Sequence, residues 1–449
     1  MPLPVLADSV QTIPMKLAGH EGEKAHGFSN NQWLLPHDTC QEADVNLPRF
    51  ASEKPVFYAA KYGDGEDQVF TFVVDESGGT GTGYDVVYID GNNDNRIDPE
   101  TEQFKIKLST RTTHSSKRIR LMVTAGGNTS PYFADFSAFL YHDRNHPVEN
   151  VHAGLRDSSY YEGVAEFGGK RHKIAVLDLN SNGRFNDFGA ELYGNDRMLI
   201  DRNNDGTYSH LDDLRKNESF PSMRFTKIDD RWYSIAATAD GAQLTVEEAQ
   251  PAFGIVQIPF ARRAKLRSPT QLQVLDFVDS KAEAILGKYE LLELEFGLPA
   301  PGAEDVRLVT WFRDQRPQVN VIRGTPANLE IGPPFQVGIE IAPGSNGQTL
   351  ETAIHITGRN NEHYHYRGAE SGHSVAAPAL LVVDEQQRPV ASIHEHVEVG
   401  RSSSWWIPQS LDGKFRIWPI IHLPGVEYKA TGLEVEFRRG KLVERDAER

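Results

Sequence analysis

One cysteine, Cys40, serves the whole chain of 449 residues. That excludes an intramolecular disulfide and a thiolate metal cage, and a buried free thiol is expected. Also missing is any apolar run long enough to span a bilayer, so membrane insertion is not expected. Basic charge is in deficit: 47 Lys and Arg stand against 63 Asp and Glu, a formal net charge of −16. Nucleic acid is held by concentrated Lys and Arg, so a nucleic-acid partner is not expected either. Helical periodicity is scarce, and its two best candidates, 243–250 and 276–287, are short.

What is present is strand pattern. Val69 to Val74, Tyr84 to Ile89, Phe104 to Leu108, Arg118 to Thr124, Lys173 to Leu177 and Trp232 to Ala236 are short runs rich in aromatic and β-branched residues. Gly and Asp bound them, as turn residues bound strands. After Gly332-Pro333-Pro334 the alternation becomes strict: Phe335, Val337, Ile339 and Ile341, then Leu350, Thr352, Ile354 and Ile356. Period two with one polar face is the pattern of a half-buried antiparallel strand. Leu380 to Val383, Val390 to Val399 and Phe415 to Trp418 continue it.

A chain this long exceeds what one hydrophobic core serves. The expected fold class is all-β, with multidomain antiparallel β-sandwiches. Residues 1–52 read as an irregular N-terminal arm and 53–262 as a β domain with acidic loops. Residues 263–335 read as a linker and small β region, opened by the basic cluster Arg262, Arg263, Lys265 and Arg267. Residues 336–449 read as an immunoglobulin-like sandwich.

Acidic charge is concentrated in three loops, each directly after an expected strand. The first runs through Asp90, Asn92, Asp94, Arg96 and Asp98. The second runs through Asp178, Asn180, Asn182, Arg184, Asn186 and Asp187. The third runs through Asp201, Asn203, Asp205, Thr207 and Ser209 to Asp212. Calcium takes about six to eight hard oxygen ligands. A loop coiled round the ion offers side-chain oxygens at its first, third, fifth and ninth positions and a carbonyl at the seventh. The sixth position needs positive φ, which Gly183 and Gly206 supply without strain and Asn95 tolerates. Asp, Asn and Gly are also ordinary turn formers, but three segments in the same phase favour Ca2+ as the expected cofactor. The third loop carries the fullest carboxylate set. The second is the sparsest, because Gly189 stands at its twelfth position and Asp187 or Glu191 must close the shell. In the first, Thr101 stands there and Glu102 is the substitute.

These loops resemble those of EF-hand, dockerin and thrombospondin type 3 modules, although strands and not helices precede them. The chain also resembles a group of uncharacterised secreted bacterial β-proteins, on three stretches: Gly78 to Asp90, Ala175 to Asp187 and Met198 to Gly206. The resemblance spans roughly residues 53 to 260. It implies fold and calcium binding, and no activity.

Other signals are weaker. Gly79 to Gly83 lacks the Lys-Ser/Thr of a phosphate loop and reads as a hairpin tip. Gly372 to Ala376 approximates a nucleophile elbow, but Pro378 spoils the helix that should follow. His363, His365, His373, His394 and His396 hold Zn2+ or Cu2+ only if their strands are neighbours. Of Trp405 and Trp406, one ring should fill the core and the other face out, near Tyr364 and Tyr366. Val5-Leu6-Ala7 has the spacing of a signal-peptidase site, placing Met1 within a longer precursor or making it an addition. Together these lead to the expectation of a secreted or periplasmic, non-enzymatic protein with a structural, adhesion or assembly role. Its partner is a protein, a glycan or another copy of itself. The alternatives are a carbohydrate-binding accessory protein and a hydrolase with a dispersed site.

Overall fold

The computed structural model describes residues 10–18, 31–42, 44–79, 83–106, 115–143, 146–189, 195–208, 218–298, 306–312, 315–344, 349–367, 379–393, 403–423 and 426–443. The protein is all-β, and no helix occurs among the described residues. Two compact units divide it, one of residues 1–250 with 269–271, the other of residues 251–268 with 272–449.

In the first unit, four sheets are assembled entirely by antiparallel pairing. The five-stranded sheet has the order Ser219–Pro221, Arg197–Ile200, Lys170–Leu177, Tyr160–Phe167, Lys16–Ala18. Its central strands are apolar on both faces: Ile174, Ala175, Val176, Leu177, Leu199 and Ile200 are all buried. A second sheet pairs the hairpin Val69–Asp75 and Val86–Ile89, whose connection includes Gly79 and Gly83 at positive φ. The glycine run therefore joins two strands of a hairpin, as its turn chemistry requires.

The arm at residues 1–52 is more ordered than its composition suggests. Gln11–Pro14 pairs with Gln243–Ala249, Lys16–Ala18 with Tyr160–Phe167, and Asn31–Leu34 with His146–Asp157. Each of these short strands occupies the edge of a different sheet. Strands of three or four residues carry too few positions to show a period, so the sequence reads as irregular.

Neither candidate is helical: 243–250 contains the strand Gln243–Ala249, and 276–287 contains a turn and the strand Lys281–Ile285. Residues 243–249 bury Leu244 and Val246 and expose Gln243, Thr245 and Glu247, an alternation of period two. In Lys281–Ile285, Ala282 and Ala284 face inward while Lys281 and Glu283 face out. Ala, Glu and Lys favour helices in isolation, but cross-strand pairing with Phe253–Gln257 overrides that preference.

In the second unit, a ten-stranded sheet has the path Gln271–Asp276, Ala261–Ser268, Gly287–Leu298, Val306–Trp311, His363–Arg367, Thr349–Thr357, Phe335–Pro343, Tyr428–Ala430. The basic run expected to be a linker is the second of these strands. Ala264 and Leu266 are buried, while Arg263 pairs with Asp276 and Arg267 with Glu290. Charges that satisfy partners across a hairpin look the same in sequence as a solvated linker. The expected boundary at 336 falls inside this unit and inside this sheet. One core serves it, in which Phe296, Phe335 and Tyr364 meet edge to face at 5.2–5.9 Å between ring centroids.

Candidate metal centre

All three acidic loops leave the C-terminal end of a strand and share one backbone frame. The first residue of each, Asp90, Asp178 or Asp201, is buried. Its carboxylate accepts the N–H groups of the fifth and sixth residues. These bonds run from Asp94 and Asn95 to Asp90 at 3.2 and 3.0 Å, and from Asn182 and Gly183 to Asp178 at 3.1 and 2.6 Å. In the third loop Asp205 and Gly206 donate to Asp201 at 3.1 and 2.8 Å. The fifth residue then accepts the N–H of the seventh: Arg96 to Asp94, Arg184 to Asn182, Thr207 to Asp205. Positive φ falls at the fourth and sixth residues of each loop, at Asn93 and Asn95, Ser181 and Gly183, Asn204 and Gly206.

Surroundings separate the loops. In the first and third the coil is open: Asn92, Asp94, Asn203, Asp205 and Thr207 are exposed. Each is anchored from below by a glutamate. Glu102 Oε1 accepts Gly91 N–H and Asn92 N–H, and Glu218 Oε1 accepts Arg202 N–H and Asn203 N–H. Glu102 is thus placed beneath the backbone, where it also accepts Asp98 N–H through Oε2. Glu218, its counterpart in the third loop, has no fixed spacing from Asp201 and was not apparent in sequence. Burial pushes the Asp90 carboxyl up to about 6, with the charges of Glu102 and Asp94 adding to it and the loop amides opposing. The Thr207 hydroxyl and amide hold Asp205 below the usual carboxylate range. Ser209 and Asp212, named in the third loop, lie outside the described residues, as does Glu191.

The second loop is enclosed. Asp187 Oδ2 accepts the side-chain amides of Asn180 and Asn182, and Asp187 N–H donates to Asp196 Oδ2 at 2.6 Å. Tyr132 O–H donates to Asp178 Oδ2 at 2.9 Å. Arg184 lies 3.9 Å from Asp64 and 4.0 Å from Asp187, and its Nη2 donates to Asn186 Oδ1. Sequence reasoning missed Asp157 and Asp196. Antiparallel register brings Tyr160 opposite Leu177 and Leu177 opposite Arg197. Asp178, one residue on, therefore sits between Ser159 and Asp196 across the strands. Burial pushes the carboxyls of Asp157, Asp178 and Asp196 all upward, and the charge of Asp178 adds to the shift at the other two.

Oxygen-rich side chains at this spacing suit a hard cation. Among the described residues, however, no group of three or more His, Cys, Asp or Glu side chains already converges to hold a metal ion. The carboxylates are occupied with loop amides. Turning Asn180 about χ2 would exchange Nδ2 for Oδ1 and offer a carbonyl oxygen to an ion.

Elsewhere, Trp405 packs on the core while Trp406 is 64% exposed, as adjacent strand positions require. Tyr364 is buried and donates to Glu362, so it is not part of an exposed aromatic platform. His363 lies edge-on to His355, 6.4 Å between centroids, and His365 contacts Trp311. His373, His394, His396 and the Gly372 to Ala376 segment lie outside the described residues. A cleft of about 380 Å3 in the second unit is lined by Asp384, Glu434 and Glu436. Each is paired with an arginine: Arg388, Arg416 and Arg438 respectively. The Arg388 amide and guanidinium hold the Asp384 carboxyl below the usual carboxylate range. Cys40 is free and half-buried, its Sγ 3.8 Å from Thr71 Oγ1. No protein-family model matches this chain, and no curated protein or solved structure matches it.

Proposed function

We propose that this is an exported calcium-binding β-protein whose loops are fixed by Ca2+ and whose role is structural, in adhesion or assembly. The observation that carries the reading is the backbone frame repeated in three loops, with a buried aspartate at each first position. Asn in place of Asp at many ligand positions lowers the site charge, which suits extracellular affinities of about 10⁻⁴ to 10⁻³ M. The second unit would be the presenting module, and the protein or glycan partner would meet its surface. Exposed Trp406 favours a sugar-stacking face as the second reading.

Thermal unfolding with calcium and with chelator tests the first reading. At millimolar calcium and a Kd of about 10⁻⁴ M, each site adds roughly 1–2 kcal/mol. An unchanged melting temperature would remove the calcium reading. Polysaccharide pull-down with Trp406→Ala tests the second, and binding that survives the substitution would count against it.

A further inference from the structure

In a chain of formal net charge −16, a site where cations gather without acids bound to them stands out. One is a cleft of about 470 Å3 in the first unit, between the first acidic loop and the strand Ser115–Ala125. That strand lies at the end of its sheet. Met122 N–H donates to the Gly91 carbonyl at 2.8 Å, so the loop is fastened across the strand's outer edge and forms one wall. The run Lys117-Arg118-Ile119-Arg120 forms the other. Ile119 anchors it in the core, while Lys117 and Arg120 are exposed.

Arg118 is spoken for: it donates to both carboxylate oxygens of Asp135 on the neighbouring strand, at 2.9 and 3.2 Å. Lys117 and Arg120 have no carboxylate partner among the described residues. Lys117 Nζ lies over the Phe104 ring, 4.9 Å from its centroid. Glu102 is the one acid lining the cleft among the described residues, and its oxygens already accept the amides of Gly91, Asn92 and Asp98. An anion entering the cleft therefore finds two cations available to it. The rest of the lining narrows which anion. Thr101 and Gln103 offer a hydroxyl and an amide, groups that both donate and accept as ring hydroxyls do, and Phe104 and Met122 add half-buried apolar surface. Inorganic phosphate or sulfate would use the cations and nothing else. A sugar ring bearing a carboxylate uses all three kinds of surface.

We propose that this cleft binds an acidic polysaccharide, with Lys117 and Arg120 taking the carboxylate of a uronic acid residue and Thr101 and Gln103 its hydroxyls. The site lies in the first unit, is separate from Trp406, and requires no metal. Its charges are exposed, so each contact is weak and screened by salt.

Calorimetric titration of the full-length protein with oligogalacturonate, in chelator, tests it. Binding is expected for this oligomer and not for the same oligomer with its carboxyls reduced to alcohols. It should weaken at least about tenfold in a chain carrying both Lys117→Gln and Arg120→Gln, and by a similar factor when salt rises from about 0.05 to about 0.5 M. Both side chains are exposed, so the double variant should melt as the wild-type chain does. Trp406→Ala should leave the binding unchanged, which separates this cleft from a sugar-stacking face in the second unit. Equal binding of the reduced oligomer overturns the proposal, and so does binding that survives in the double variant. Tighter binding of poly-glutamate of the same length would give the cleft to an acidic peptide and overturn the sugar assignment. Absence of binding in chelator overturns the proposal and leaves the calcium reading, which thermal unfolding decides, untouched.

Discussion

Gly183 and Gly206 hold the same place in two loops of the same backbone frame, both at positive φ. Around Gly206 there is nothing within 4 Å of where a Cβ would stand, whereas at Gly183 the backbone of residue 63 and the side chain of Val123 crowd the position. The third loop is a self-contained coil standing in solvent, and the second is part of the core. Counting carboxylates along the chain puts the third loop first. Burial sets the second loop apart, because its carboxylate is sealed inside the fold and depends on the Tyr132 hydroxyl and two loop amides where an exposed group would have water.

The largest effect expected from this contrast is at the first loop positions. Asp178→Ala leaves the Asn182 and Gly183 amides and the Tyr132 hydroxyl without an acceptor in a buried setting. At about 1–3 kcal/mol for each stranded donor, the loss should reach roughly 3–5 kcal/mol. Asp201→Ala strands the amides of Asp205 and Gly206, both exposed residues that water can serve, and should cost about 1–2 kcal/mol. Denaturant melts of the two variants compare them directly, and equal losses would erase the distinction between the loops.

Next come the glycines. Gly206→Ala should cost about 1 kcal/mol for its positive φ alone. Gly183→Ala adds the overlap with residue 63 and Val123, for a total of roughly 2–4 kcal/mol. The difference in melting midpoint between these two substitutions checks the enclosure without any metal present.

The two units also differ in pH dependence, where the effects have opposite signs. In chelated protein the carboxyls of Asp157, Asp178 and Asp196 lie above their unfolded values of about 4, so the folded state binds more protons. That contribution is complete below about pH 4 and is lost as pH rises through the raised folded values. Chelated protein should therefore lose stability in the first unit as pH rises above about 4 and through the raised folded values, about 7 at Asp178 and about 10 at Asp196. In the second unit, hydrogen bonds from Arg267 and Arg316 hold the Glu290 carboxyl below the usual carboxylate range. Its contribution is present above the unfolded value and fades as pH falls through the folded one. Because the Glu290 side chain is 37% accessible and screened by water, Glu290→Gln should cost only about 0.5 kcal/mol at neutral pH. Melting curves across pH, with and without Glu290→Gln, read both signs.

The loops were legible because their geometry is local: five or six consecutive residues set the frame, and residue type at each position is constrained by φ and by hydrogen bonding. Long strands were legible for the same reason, since Phe335 to Ile341 carries its own period. Asp157 and Asp196 were not, because register brings them to Asp178 and no spacing along the chain records register. Residues 243–249 and 281–285 misled through composition. Their Ala, Glu and Lys content speaks for helix, and only the partner strands decide otherwise.

The three short N-terminal strands bear on how the first unit is assembled. Gln11–Pro14 cannot dock until Gln243–Ala249 has been made, and the edges at Tyr160–Phe167 and His146–Asp157 likewise wait for the chain's beginning to return to them. Pairings so distant in sequence form late, because loop closure must be achieved before the contact is gained. Until then three sheet edges have unpaired N–H and C=O groups, the template on which strands of other molecules add. The opening residues thus serve as covers for those edges, fitted last. A chain lacking residues 10–34 should lose the buried Ile13, Met15, Ala18 and Leu34 and become prone to association.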